Sequence, residues 1–158
     1  MYVLIVILLM LVLPVGSIWA EHSYLHGALP LLWLVGKWFV FWSAGVRLLL
    51  AGLRQFFQPK FTAEEIFHIQ EDAVLPLVRE LGVANFAMGI VGMLSLAKPG
   101  FVLPVALYAT LFYGIAGLRH TAEHDRSRNE NVAMISDLLV SLVFAFFVAY
   151  AVVTGFSG

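Results

Sequence analysis

The chain opens with the stretch MYVLIVILLMLVLPVGSIWA (residues 1–20), which contains no charged side chain. A helix that crosses a bilayer needs roughly 20 predominantly apolar residues, so this stretch predicts a membrane span. Trp19 lies near its end, where a tryptophan anchors a helix in the membrane interface. A secretory signal peptide is the rival interpretation, but such a peptide carries basic residues before its apolar run, and none precedes this one. We therefore expect a retained spanning helix.

The composition of the whole chain also indicates a membrane protein. Of its 158 residues, 61% are apolar and 12% are charged, whereas soluble domains carry about 25% charged residues. A soluble core of this size could not bury so much apolar surface, because small domains leave much of their surface exposed. The balance of nine basic and ten acidic residues argues against a nucleic-acid partner. Since there is no cysteine, disulfides and thiolate metal sites are excluded.

Five apolar stretches predict an all-α integral membrane helical bundle, a single transmembrane domain over residues 1–158 in contact with the lipid bilayer. An amphipathic pattern between the second and third stretches predicts one interfacial helix, in which Thr62 and Glu65 have capping-box spacing. The loops after spans two and four are basic, whereas the other two loops offer only Lys98. The positive-inside rule then predicts a cytoplasmic N-terminus and a C-terminus on the opposite side of the membrane. The predicted spans cover residues 2–20, 29–52, 74–97, 101–119 and 132–154, and the interfacial helix covers 61–72.

Small and polar residues recur at helical spacing in three of these spans, which favours close helix packing in lipid. We predict that the three stripes turn toward a common centre. For the glycines, plain helix packing is the favoured interpretation, whereas Asn85 can equally be an interhelical hydrogen-bonding residue. The stripes are Gly82, Asn85, Gly89 and Gly92 in span three, Gly114, Gly117, His120 and His124 in span four, and Glu130, Asp137, Ser141 and Ala145 in span five.

Three ionisable residues fall within the predicted spans, namely Arg47, Glu80 and Asp137. Burying such a group in a bilayer costs at least about 2.5–3.5 kcal/mol on insertion scales, so each needs a partner. Arg47 lies deep in its span and should face other helices. A pair between Arg47 and either Glu80 or Asp137 would satisfy the requirement without any chemistry.

A histidine and carboxylate cluster follows span four. His120, Glu123 and His124 spell H-x-x-E-H, and on a helix all three side chains share one face. Glu65 and His68 form an E-x-x-H pair, the unit with which four-helix bundles hold two metal ions. Together these five residues are candidate ligands for iron, manganese or zinc. A solvated loop or a proton or anion relay remains an alternative, and Arg126 stands where a second E-x-x-H would need its histidine.

The sequence RELGVAN (residues 79–85), followed by Met88, Gly89 and Gly92, resembles a family of uncharacterised bacterial small integral membrane proteins. Their helices are organised loosely like those of DoxX-like membrane proteins. The resemblance extends over about residues 62–143, although Val83 stands where a bulkier Phe is expected. The resemblance implies a small bacterial helical bundle without an established reaction, and with the orientation predicted above it places the protein in the bacterial inner membrane with a periplasmic C-terminus. The DoxX-like relatives suggest sulfur oxidation or quinone-linked electron transfer.

The leading hypothesis is a polar site on the cytoplasmic side, between spans three, four and five, that binds a metal or a small ligand. If it is catalytic, a metal-assisted oxidoreductase component is the first expectation, with Arg47 balancing charge. The alternative is a non-catalytic accessory subunit of a larger membrane complex, because Trp33, Trp38 and Trp42 offer a large aromatic surface. We expect a homo-oligomer or other membrane subunits as partners. A transporter or channel subunit is a third possibility. The predicted site residues are Glu80, Asn85, His120, Glu123, His124 and Asp137.

Overall fold

The computed structural model describes residues 2–122 and 126–155, which are almost entirely helical and contain no strand. Five helices are long and apolar enough to cross a membrane, and they confirm the predicted bundle. The spans, numbered one to five, are Val3–Tyr24, Leu31–Phe57, Asp72–Leu94, Pro99–Thr121 and Arg128–Thr154. Successive spans run antiparallel, so the start of span one lies at the same end of the bundle as the end of span two. We call this end the N-terminal face.

The interfacial helix is shorter than predicted and covers Pro59–Glu65. Proline suits the first position of a helix because its missing N–H would have no partner there, and Pro59 holds that position. The predicted capping box of Thr62 and Glu65 is therefore wrong, since Thr62 lies inside the helix. A capping box does form at the start of span five, where the Ser127 side chain accepts from Glu130 N.

Spans two and three approach each other through glycines on both helices. A Cβ atom built on Gly52 would lie 2.6 Å from the Gly82 carbonyl oxygen, and one on Gly92 would lie 2.7 Å from Gly45 Cα. Backbones meet this closely only where side chains are absent. The glycines of span three thus pack on span two and do not face a centre shared with spans four and five, which corrects that part of the prediction. Spans four and five pack on each other, with Gly117 against Leu138.

Spans one and two each contain a π-helical segment, Leu8–Val12 and Val40–Val46. In each segment a main-chain carbonyl accepts a hydrogen bond from a side chain of another span. Ser43 Oγ donates to the Leu9 carbonyl at 3.3 Å, and Tyr113 OH donates to the Ser43 carbonyl at 2.6 Å. These buried hydrogen bonds join spans one, two and four.

The three tryptophans of span two contact other parts of this chain. Trp33 is 5% exposed and packs against Phe147 of span five. Trp38 Nε1 donates to Glu21 at 2.6 Å, and Trp42 Nε1 donates to Ser17 Oγ at 3.0 Å. The aromatic side chains that suggested an accessory subunit thus largely contact other residues of this chain.

Candidate functional site

A cavity of about 500 Å³ lies toward the N-terminal face of the bundle. All five spans and the segment after span two contribute to its walls. The walls are mostly apolar, but nine polar or ionisable residues also line the cavity. Those polar and ionisable lining residues are Arg47, Arg54, Gln55, Thr62, Asn85, Tyr113, Arg119, His120 and Asp137.

The deepest charged group of the cavity is an ion pair between spans two and five. Arg47 Nη2 lies 2.9 Å from Asp137 Oδ1, and the two side chains are 14% and 9% exposed. The Arg47 guanidinium also lies over the ring of Tyr113, 4.9 Å from its centroid. Of the two pairings considered for Arg47 from the sequence, the structure forms the one with Asp137. A buried charge is tolerated when a partner neutralises it.

A second polar group lies beside the first, where spans two and three meet. Asn85 Nδ2 donates to Gln55 Oε1 at 2.8 Å. The guanidinium of Arg54 stacks on the ring of Phe61, with Cζ 3.4 Å from the ring centroid. Cationic side chains are attracted to the negative face of an aromatic ring, so this contact positions Arg54 at the cavity wall.

The segment after span two covers one side of the cavity. Phe61, Thr62, Ile66 and Phe67 all line it, and the Arg119 guanidinium lies 5.7 Å from the Phe67 ring centroid. The chain then turns at His68, which has a left-handed φ of 55°. A left-handed conformation is uncommon outside glycine, and here it aims the imidazole toward span five.

His68 and His120 bracket a fully buried carboxylate. His68 Nε2 lies 3.1 Å from Glu130 Oε2, and His120 Nδ1 lies 3.1 Å from Glu130 Oε1. Glu130 is 0% exposed, whereas the side chain of His68 is 47% exposed. An ionised carboxylate only accepts hydrogen bonds, so each ring would donate to Glu130 in its ionised form. The arrangement ties the covering segment to spans four and five and satisfies a carboxylate in the first turn of span five, where the helix dipole favours negative charge.

The structure brings together four of the predicted site residues: Arg47, Asn85, His120 and Asp137 all line the cavity. Glu65 and Glu80 are exposed and are not among the described lining residues. Glu123 and His124 lie outside the described residues. His68 approaches His120 only through Glu130.

Sequence reasoning missed Arg54, Gln55, Arg119 and Glu130 as site residues. Glu130 lies seven residues before Asp137 on the same helical face, so its place in the span-five stripe was the available signal. Among residues 2–122 and 126–155, no group of three or more His, Asp or Glu side chains is arranged to hold a metal ion. Binding of iron, manganese or zinc therefore stays a prediction.

Comparison with known proteins identifies one protein family. The match is to the "Family of unknown function (DUF6790)" and extends over residues 1–154. No curated protein and no solved structure matches the chain, so the similarity to DoxX-like proteins gains no support. Because the match covers nearly the whole chain, this protein belongs to the family of unknown function DUF6790.

Proposed function

We propose that this protein is a membrane-embedded binding protein for a small amphiphilic molecule. The observation that carries the proposal is the cavity of about 500 Å³, because sites for small molecules have volumes of about 300–1,000 Å³. Apolar walls with a few convergent polar groups are also typical of such sites. A ligand with an apolar body and one polar end matches both parts of the lining.

The opening of the cavity favours entry from the lipid. Ile5 of span one and Leu50 of span two line the cavity and are 37% and 46% exposed. The first turns of span one pack mainly on span five, whereas its contacts with span two are made further along, toward Tyr24. Spans one and two are in contact at Leu9, whose carbonyl accepts from Ser43 Oγ. We place the route for an apolar molecule between the two spans on the N-terminal side of this contact, where Ile5 and Leu50 lie.

We place the N-terminal face on the cytoplasmic side of a bacterial inner membrane. Basic residues are concentrated at this face, where Arg54, Lys60, Arg119, Arg126 and Arg128 occur. The opposite end carries only Lys37, paired with Glu21, and Lys98. An excess of lysine and arginine marks the cytoplasmic loops of membrane proteins.

The proposal covers binding and no reaction. A metal-assisted oxidoreductase remains a prediction from the sequence. An accessory subunit, a homo-oligomer and other partner subunits remain predictions as well, and the aromatic surface that motivated the accessory subunit is engaged inside the fold.

The test is to fill the cavity and measure binding. Ala51 and Ala116 both line it, so Ala51→Phe and Ala116→Phe each place a ring where the ligand would lie. We expect wild-type protein in detergent to bind a fluorescent single-chain fatty-acid analogue at one site per chain, and each variant to lose that binding. Ala87→Phe is the matched control, because Ala87 is exposed on span three and is not among the described lining residues. Undiminished binding by both cavity variants, with wild-type circular dichroism, would refute the proposal.

A further inference from the structure

Two buried polar atoms without a hydrogen-bond partner belong to residues that line the cavity. Within residues 2–122 and 126–155, Arg54 Nε and Asn85 Oδ1 are shielded from solvent and have no hydrogen-bond partner. Both residues line the cavity, and Asn85 is only 3% exposed. Buried polar groups in folded proteins almost always have a partner. A partner supplied by a bound molecule accounts for both atoms at once.

The two atoms require opposite hydrogen-bonding groups. A guanidinium nitrogen only donates, and an amide oxygen only accepts. The other end of the Asn85 amide is already engaged, because Nδ2 donates to Gln55 Oε1 at 2.8 Å. A complementary head group therefore presents an acceptor to Arg54 and a donor, such as a hydroxyl group, to Asn85.

The positive charge of Arg54 favours an anion as its hydrogen-bond acceptor. Arg47 is paired with Asp137, but among the described residues no carboxylate lies within ion-pair distance of Arg54, which instead stacks on Phe61. Arg119 lines the same cavity. Guanidinium groups bind carboxylate and phosphate oxygens through charge-assisted hydrogen bonds.

We infer that the ligand is an anionic single-chain amphiphile whose carboxylate or phosphate group binds Arg54 and whose neighbouring hydroxyl group donates to Asn85. This inference rests on the proposed function, because it assigns the polar end of the same ligand. The apolar chain would lie along the walls near Ile5 and Leu50, toward the opening between spans one and two.

Four probes that share parts of this chemistry test the inference with purified protein in detergent. Palmitoyl lysophosphatidic acid has the chain, the anion and a hydroxyl group, whereas palmitate lacks the hydroxyl group. Palmitoyl glycerol has the chain and hydroxyl groups without the anion, and inorganic phosphate has the anion without the chain. Displacement of the fluorescent fatty-acid analogue gives the affinity of each probe.

We expect palmitoyl lysophosphatidic acid to bind most tightly, at least about tenfold more tightly than palmitoyl glycerol, because a hydrogen bond to a charged group commonly contributes a factor of this order. Arg54→Gln should remove that preference, because it should lower the affinity for lysophosphatidic acid far more than the affinity for palmitoyl glycerol. Asn85→Ala should lower the affinity for lysophosphatidic acid by a larger factor than the affinity for palmitate, which lacks the hydroxyl group. Arg79→Gln is the matched control for lost charge, because Arg79 is exposed on span three, and it should bind as wild type does.

Three results would overturn the inference, and they separate it from the proposed function. Equal binding of palmitoyl glycerol and lysophosphatidic acid, unaffected by Arg54→Gln, would refute the anionic head group and leave amphiphile binding intact. Binding of inorganic phosphate as tight as that of lysophosphatidic acid would show that the chain contributes nothing. If the wild-type protein binds none of the three probes that carry a palmitoyl chain, the proposed function itself is refuted.

Discussion

Gly52→Ala is the substitution that tests most directly how spans two and three meet. A Cβ atom at this position would lie 2.4 Å from Phe86 N, 2.6 Å from the Gly82 carbonyl oxygen and 2.8 Å from Phe86 Cα. All three are main-chain atoms, so no side-chain rotation can relieve the contact. The helices must separate instead, by about 1 Å, which is the difference between 2.4 Å and the 3.4 Å where ordinary contact begins.

Separating spans two and three weakens the packing between the two helices as a whole, and not only the contact at Gly52. Overpacking typically costs about 1–3 kcal/mol, and the rigid backbone at this site places the cost at the upper end of that range. Alanine recovers about 1 kcal/mol through its better helix propensity. We therefore expect a net loss of about 2 kcal/mol in the free energy of unfolding. For a chain of this size the melting temperature should fall by roughly 4–8 °C, at about 2–4 °C per kcal/mol.

The assay is thermal unfolding of the purified protein in detergent, followed by far-ultraviolet circular dichroism. Gly16→Ala is the matched control, because Gly16 also lies in a spanning helix and a Cβ atom added there would have no atom within 4 Å. That control should melt at or slightly above the wild-type temperature. If Gly52→Ala and Gly16→Ala have the same melting temperature, the backbones of spans two and three do not approach each other closely, and the packing described for the glycine stripe is incorrect.

Two further predictions concern the ion pair and the orientation. Asp137→Ala leaves Arg47 buried without its carboxylate and should destabilise the fold by about 3–5 kcal/mol. The Arg47→Met/Asp137→Ala double variant should melt at a temperature between those of the single variant and the wild type. Equal melting temperatures for the single and double variants would contradict this prediction. Because the chain has no cysteine, Lys98→Cys and Lys60→Cys can be labelled separately with a membrane-impermeant maleimide. Intact cells should label only Lys98→Cys, and the reverse result would invert the proposed topology.

Local rules failed where a neighbouring residue imposed a stronger constraint. Thr62 and Glu65 have the spacing of a capping box, but Pro59 starts the helix three residues earlier and places Thr62 inside it. Glu130 has the same spacing from Ser127 and does form the box. Two identical local patterns thus have different outcomes, because the residue that begins each helix differs.

The sequence predicted some residues of the candidate site and missed others. Arg47 and Asp137 carry a strong signal, since a charge inside an apolar span must find a partner, and they do pair. Arg54 and Gln55 carry none, because they fall just beyond the predicted end of span two and have the character of loop residues. Span two continues to Phe57, and this extension brings both residues to the cavity.

The sequence by itself determined the five spans, the helical class and the need for an inward-facing Arg47. These follow from local properties, since a bilayer requires a continuous apolar length and a partner for each buried charge. Only the tertiary structure decided that the glycines of span three pack on span two, that Glu130 joins His68 to His120, and that Arg54 and Asn85 meet at one cavity. Helical spacing shows which residues share a face, but which neighbour covers that face depends on the packing of all five helices together.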